Sequence, residues 1–86
     1  MALKWKPHRK EDQMEVAKCG AADCMVRKSF KGLRTGQPGF YFEVELCESG
    51  FPSYNGVARS PQEGKTRCER WLDKLARDIQ NALARQ

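Results

Sequence analysis

Four cysteines are the residues of this 86-residue chain whose type and spacing could hold a metal ion. Four residues separate Cys19 from Cys24, a spacing found in ligand pairs of structural zinc sites, whereas Cys47 and Cys68 are far from them along the chain. A tetrahedral site would need all four thiolates at one point. We rank zinc below the simpler interpretation, in which the thiols are small buried side chains and no cofactor is bound.

Catalytic groups are sparse. His8 is the one histidine, and no neighbouring residue would orient it as a general base beside a nucleophile. Glu43 and Glu45 alternate along a predicted strand, which is typical of a charged sheet surface. The glycines do not precede a helix start, as a phosphate-binding loop requires. We therefore predict that the chain is not an enzyme.

The net charge of +5 is unevenly distributed. Residues 1–34 contain nine Lys/Arg and four Asp/Glu. Residues 35–57 contain no Lys/Arg and three Asp/Glu, and residues 58–86 contain seven Lys/Arg and four Asp/Glu. Two basic ends flank an acidic middle, which indicates binding to an anionic partner or, more simply, a soluble surface. No apolar run reaches the length of a membrane span and no signal peptide is recognisable, so we expect a cytoplasmic protein that binds no membrane.

The elements that would position these residues are three strands and one helix. Residues 13–19 and 24–30 alternate in polarity around a short Gly- and Asp-containing loop, and residues 40–47 show the clearest alternation, with Phe40, Phe42, Val44 and Leu46 on one face. Residues 48–59 are predicted to be a loop with a tight turn at Asn55-Gly56. We expect one domain over residues 1–86, with residues 1–12 as a flexible N-terminal arm.

Ser60-Pro61-Gln62-Glu63 matches a capping box, so a helix is predicted from residue 61 to residue 84. An apolar stripe along it should pack on the strand face; its members are Cys68, Trp71, Leu72, Leu75, Ile79 and Leu83. The helix would be ~36 Å long against ~27 Å for an eight-residue strand, so one end should project. The predicted fold is α+β, a three-stranded antiparallel sheet packed on one long C-terminal helix.

Basic residues form two candidate binding clusters for a partner or nucleic acid. One is on the second strand and its loop, and the other is on the outer face of the helix. Their members are Arg27, Lys28, Lys31, Arg34, Arg67, Arg70, Lys74 and Arg77. Phe51 and Tyr54, in a predicted loop, are candidate protein contacts, although they could instead pack over one end of the helix.

The segments EVAKCGAADCMVRKSF, GFYFEVEL and GVARSPQEGKTRCERWLDKL resemble those of small β-β-β-α accessory proteins of phages and prophages. Ser60, Glu63, Lys65, Cys68 and Glu69 match the helix start of that group, and Gly64 departs from its usual alanine. The resemblance implies a mobile-element protein that acts in a bacterial host cell. Anti-CRISPR inhibitors are among such proteins, and no contact residues carry over from them.

Two hypotheses follow. In the first, the chain binds a host protein or ribonucleoprotein complex and inhibits or modulates nucleic-acid-handling defence, as an anti-CRISPR protein does. In the second, it binds DNA or double-stranded RNA directly through the basic stripe of the helix. Either a monomer or a homodimer is compatible with the sequence.

Overall fold

The computed structural model describes residues 2–10, 13–29 and 38–85. Within them, five antiparallel strands form one sheet in chain order, and one helix packs on it. The elements are β1 (Lys6–Pro7), β2 (Met14–Cys19), β3 (Ala22–Ser29), β4 (Gly39–Leu46), β5 (Tyr54–Ala58) and α1 (Pro61–Ala84). The α+β class and the C-terminal helix are confirmed, but the predicted number of strands was too low by two.

The fifth strand lies where a loop with an Asn55-Gly56 turn was predicted. β5 pairs with β4, and Gly56 is opposite Phe42. A Cβ atom on Gly56 would lie 2.7 Å from Cζ of Phe42, so only glycine leaves room for this buried ring. Gly56, which predicted a turn, is required at this position because the ring of Phe42 lies against its backbone.

The first strand lies within the segment that was predicted to be a flexible arm. Lys6 pairs with Val16 and Pro7 with Glu15. The backbone N–H of Leu3 donates to Oε2 of Glu69 on the helix at 2.7 Å, and Nε1 of Trp5 donates to the same oxygen at 3.2 Å. Residues 3–7 are therefore attached to both the sheet and the helix.

The core lies between one face of the sheet and α1. The strand register places Cys24, Val26, Phe42 and Val44 on this face, all of them buried. The helix contributes Gly64, Cys68 and Leu72. A Cβ on Gly64 would lie 3.3 Å from Cγ1 of Val26 and 3.4 Å from Cβ of Phe42, so this glycine lets the start of the helix approach the sheet closely.

The predicted helix boundaries are confirmed at both ends, Pro61 and Ala84. Oγ of Ser60 accepts a hydrogen bond from the backbone N–H of Glu63 at 3.1 Å, as a capping residue does. Oε2 of Glu63 accepts from the N–H of Arg59 at 3.1 Å, one residue before the usual partner in a capping box.

The two halves of α1 have different surroundings. In residues 61–72, here called the packed half, the apolar stripe is buried against the sheet. In residues 75–84, the projecting half, Ile79 is 52% exposed and Leu83 is 64% exposed. The projecting end was predicted, but the burial of the stripe as far as Leu83 was wrong, because the sheet ends first. Within the described residues, no helix combines the length and apolar character of a membrane span.

Candidate binding surfaces of the helix and the sheet

Four basic side chains lie on the outer and lateral sides of α1, three of them pointing away from the sheet and Arg67 at its edge. Arg67, Arg70, Lys74 and Arg77 are all exposed, because Gly64, Cys68 and Leu72 occupy the opposite side of the helix. Arg67 and Arg77 lie ten residue steps apart, which is ~15 Å along the axis. We call these four residues the basic helix face.

Arg67 differs from the other three members of this face. Its guanidinium carbon lies 5.5 Å from the centroid of the Phe42 ring, over the edge of the core. Such a cation–π contact contributes ~0.5–1 kcal/mol at an exposed site. Arg67 therefore has a packing role in addition to its charge, which makes Arg70, Lys74 and Arg77 the cleaner positions for testing binding.

Of the second predicted basic cluster, Arg27 does not join the first. Arg27 lies on the face of the sheet opposite α1, with its guanidinium carbon 5.4 Å from the centroid of the Tyr41 ring. Lys28 points the other way, toward the helix side, and is exposed at the end of β3. Lys31 and Arg34 lie outside the described residues. Arg27 and the basic helix face are thus on opposite sides of the sheet.

The sheet face that α1 leaves uncovered has an apolar centre. Adjacent strands place Val16, Met25, Tyr41 and Val57 there, and Glu43 lies beside Met25. The hydroxyl of Tyr41 donates to Oε2 of Glu43 at 2.9 Å. Burial and this hydrogen bond raise the pKa of Tyr41 above its ordinary value. The sequence did not indicate this surface because β5, which supplies one edge of it, lies in a segment predicted to be a loop.

A groove rimmed by lysines crosses β1 and β2 at one side of the same face. It has a volume of about 610 Å³ and is lined by Lys4, Lys6, Lys18, Val16 and Asp23, among others. Nζ of Lys18 lies 3.7 Å from Oδ1 of Asp23, so one cation is already offset by a carboxylate. No local sequence signal indicated the groove, because it depends on the pairing of β1 with β2.

The two candidate contact aromatics have different roles. Tyr54 stacks on Trp71 of the helix, with ring centroids 5.4 Å apart and planes 4° from parallel, and it also contacts Phe42. It therefore fixes α1 to β5. Phe51 is 77% exposed in the β4–β5 loop, just after Cys47 and Glu48, whose backbones adopt the left-handed conformation. Only Phe51 is available to a partner.

The cysteines are distributed over two layers. Cys24 of β3 and Cys68 of α1 are both buried, and Sγ of Cys68 donates to the carbonyl of Glu43 at 3.9 Å. The interaction with the Cys24 thiol and burial raise the pKa of the Cys68 thiol, and the same interaction lowers the pKa of Cys24. Cys19 is half-buried and Cys47 is exposed. In the described part of the chain, no three potential ligands are grouped around a point that could hold a metal ion.

Lys65, one of the residues matching the phage group, faces the sheet side of the helix. Its Nζ lies 2.7 Å from Oε2 of Glu15 and 5.8 Å from the centroid of the Trp5 ring. With Glu69, it attaches the N-terminal segment to α1. These two matched positions therefore have structural partners and do not add to the basic helix face.

Comparisons with protein-family models, with curated proteins and with solved structures returned no match. The resemblance to phage accessory proteins consequently stays a prediction from the sequence.

Proposed function

We propose that this chain is a non-enzymatic binding protein whose basic helix face binds the phosphate backbone of nucleic acid. The observation that carries the proposal is the row of Arg67, Arg70, Lys74 and Arg77 along ~15 Å of a helix that the sheet holds in place. One strand of a duplex presents a phosphate every ~3.4 Å, so this length faces about four of them. Backbone contacts of this kind supply affinity without sequence readout.

The distribution of acidic residues also favours the basic helix face as the binding surface. Asp23, Glu43 and Glu45 lie on the uncovered sheet face and offset the charges of Lys6, Lys18 and Arg27 there. On the helix, Glu63 is hydrogen-bonded to the backbone N–H of Arg59, and Asp73, four residues before Arg77, offsets part of the charge of that arginine. The basic helix face keeps the larger excess of positive charge and is therefore the more favourable approach for a polyanion.

A fluorescence anisotropy titration with a generic DNA duplex and a generic RNA duplex, repeated over a range of salt, tests the proposal. With four phosphate contacts, log K should fall against log salt with a slope of about −3.6. The double variant Arg70→Gln/Lys74→Gln should reduce the steepness of that slope by about 1.8. No binding at micromolar protein in low salt would refute the proposal.

The matched control is Lys4→Gln/Lys6→Gln, which removes the same charge from the N-terminal segment on the other side of the molecule. If the helix face is the contact, this control should keep nearly the whole salt slope. Equal losses in the two double variants would show that binding follows net charge and not this face.

A second candidate function is the inhibition or modulation of a host nucleic-acid-handling complex by protein contact, as the phage resemblance implies. The exposure of Phe51 and the apolar centre of the uncovered sheet face favour it. A pull-down from a nuclease-treated bacterial lysate should then yield a stoichiometric complex that Phe51→Ser weakens and Arg70→Gln/Lys74→Gln does not. Recovery of nuclease-sensitive material alone would contradict this candidate.

A further inference from the structure

The projecting half of α1 continues the apolar stripe of the packed half beyond the sheet. Ile79 lies only ~20° around the helix from the direction of Cys68, so it belongs to the stripe that forms the core. Nevertheless, Ile79 is 52% and Leu83 64% exposed. The same face of one helix is thus buried in its first half and uncovered in its second.

The apolar positions of the projecting half form a palindrome about Ile79. The segment Leu75-Ala76-Arg77-Asp78-Ile79-Gln80-Asn81-Ala82-Leu83 has leucine four residues before and after Ile79, and alanine three residues before and after it. A twofold interface uses the same patch on both copies, so the patch must complement itself. A palindromic helix face does so when the second helix runs in the opposite direction.

We propose that two copies of this chain pair through their projecting halves, antiparallel, with the twofold axis at Ile79. In this arrangement Ile79 meets its own counterpart. Each Leu75 faces Ala82 of the second copy, and each Ala76 faces Leu83 of the second copy. Large side chains then lie opposite small ones, which allows two helices to approach closely without voids.

The shape of the surrounding surface accommodates this pairing. An open groove of about 210 Å³ lies between the β2–β3 turn at Ala21, the end of β4 at Leu46, and Leu75, Ala76 and Ile79 of the helix. A cavity of ~150 Å³ already holds a benzene molecule, so an aliphatic side chain fits. Leu83 of the second copy, opposite Ala76, would enter this groove.

Helix length is also compatible with the pairing. α1 ends at Ala84, five residues after Ile79, whereas Leu72, the last helix residue buried against the sheet, is seven residues before it. The helix of the second copy would therefore end just before it reached the sheet. An axis at an earlier residue would bring the end of the second helix against the sheet, so Ile79 is close to the earliest position that the axis can take.

The contact is expected to be weak and to strengthen with salt. Ten residues of helix are ~15 Å long and ~10 Å wide, which with the groove stays below the ~800 Å² per partner of a standard stable interface. We expect a dissociation constant on the order of tens of micromolar.

Each copy carries a net charge of +5, so salt screens the repulsion between them. Nucleic-acid binding has the opposite salt dependence, and the basic helix face stays outside the contact.

Sedimentation equilibrium of the full chain from about 10 μM to about 1 mM tests the pairing. The mass should rise from the 9.9 kDa of one chain toward twice that value, at lower concentration in high salt. Ile79→Glu should weaken association at least about tenfold, because it places two like charges on the axis. A mass that stays at 9.9 kDa across the whole range would overturn the proposal.

The matched control is Asn81→Glu, which adds the same charge to the same half of the helix, ~160° away from Ile79. It should change the dissociation constant by no more than about twofold. If Asn81→Glu weakens association as much as Ile79→Glu, the contact is not through this face. Circular dichroism of both variants verifies that the exposed substitutions leave the fold intact.

Disulfide trapping tests the antiparallel register independently. In a background of Cys19→Ser and Cys47→Ser, Ile79→Cys should form a dimer under mild oxidation, since its two copies meet on the axis. Leu83→Cys should not, because its two copies are ~12 Å apart along the axis, beyond the ~3.5–4.5 Å between Cβ atoms of a disulfide. Equal trapping at both positions would refute the antiparallel register.

Discussion

The two halves of α1 share one apolar pattern but have different surroundings. The packed half is held by the core at Cys68 and Leu72, by stacking of Trp71 on Tyr54, and by the bonds of Glu69 to the N-terminal segment. The projecting half has exposed side chains from Ala76 onward. Because the periodicity is the same in both, an apolar stripe shows which face of a helix is apolar, whereas the length of the sheet decides where that face is buried.

This difference also separates two roles for the helix. The packed half fixes the orientation of the element relative to the sheet. The basic helix face spans both halves on the outer side, so the sheet positions it without covering it. The projecting apolar face, in contrast, has no partner within the chain among the described residues, and it is the part we propose for self-association.

The two halves should differ most in how far the free energy of unfolding falls when a leucine is replaced by alanine. Leu72→Ala should lower the free energy of unfolding by about 2–4 kcal/mol, because Leu72 is only 7% exposed and its loss leaves a cavity in the core. Leu83→Ala, in the same helix, should cost less than about 0.5 kcal/mol in dilute monomer. Urea unfolding followed by circular dichroism measures both. Similar costs would mean that the projecting half is packed in solution.

The attachment of the N-terminal segment to the packed half gives the next largest effect. Glu69→Ala removes the acceptor of Leu3 N–H and of Trp5 Nε1, and should cost about 1–3 kcal/mol and accelerate tryptic cleavage after Lys4. Asp78→Ala, an exposed acidic residue of the projecting half, is the matched control and should change neither. Unchanged cleavage in Glu69→Ala would argue that these bonds do not hold the segment.

Loss of the helix cap should have a smaller effect. Ser60→Ala removes the hydrogen bond from the N–H of Glu63 to Oγ, and should lower the free energy of unfolding by about 1 kcal/mol. Ser60→Asp, which keeps an acceptor at the cap, should restore most of it. If Ser60→Asp is as unstable as Ser60→Ala, the hydroxyl contributes through some contact other than the cap.

The smallest predicted effect is alkaline destabilisation through the Cys24–Cys68 pair. In the folded state the pKa of Cys68 is raised above its ordinary value of 9.0, whereas the interaction with Cys68 lowers the pKa of Cys24. As the pH rises past 9, the unfolded chain releases both thiol protons but the folded pair keeps that of Cys68, so stability falls by at most about 1.4 kcal/mol per pH unit. The unfolding free energy of Cys68→Ala, measured between pH 8 and about 9.5, should decline less steeply. An identical slope would contradict this assignment.

Much of the helix could be predicted because its determinants are local. The cap at Ser60, the proline that follows it, and the spacing of Cys68, Trp71 and Leu72 all lie within a few turns of the chain. β4 was equally accessible, since its aromatic alternation needs no partner to be recognised. The basic helix face followed directly, as the side of the helix opposite the apolar stripe.

β1 and β5 could not be predicted because their evidence is not local. β1 is two residues long and is defined only by its pairing with β2. Gly56 in β5 has the local character of a turn residue, and its role becomes visible only once Phe42 lies across from it. Likewise, the Cys24–Cys68 contact joins a strand and a helix that are far apart in the chain.

The sequence by itself determined the helix, its boundaries, the clearest strand, the α+β class and the basic outer face, because backbone capping and side-chain periodicity act over a few residues. Only the tertiary structure decided the number of strands, the separation of Arg27 from the helix arginines, and the point at which the apolar stripe emerges from the core. Those features depend on which distant segments meet and on where the sheet ends relative to the helix.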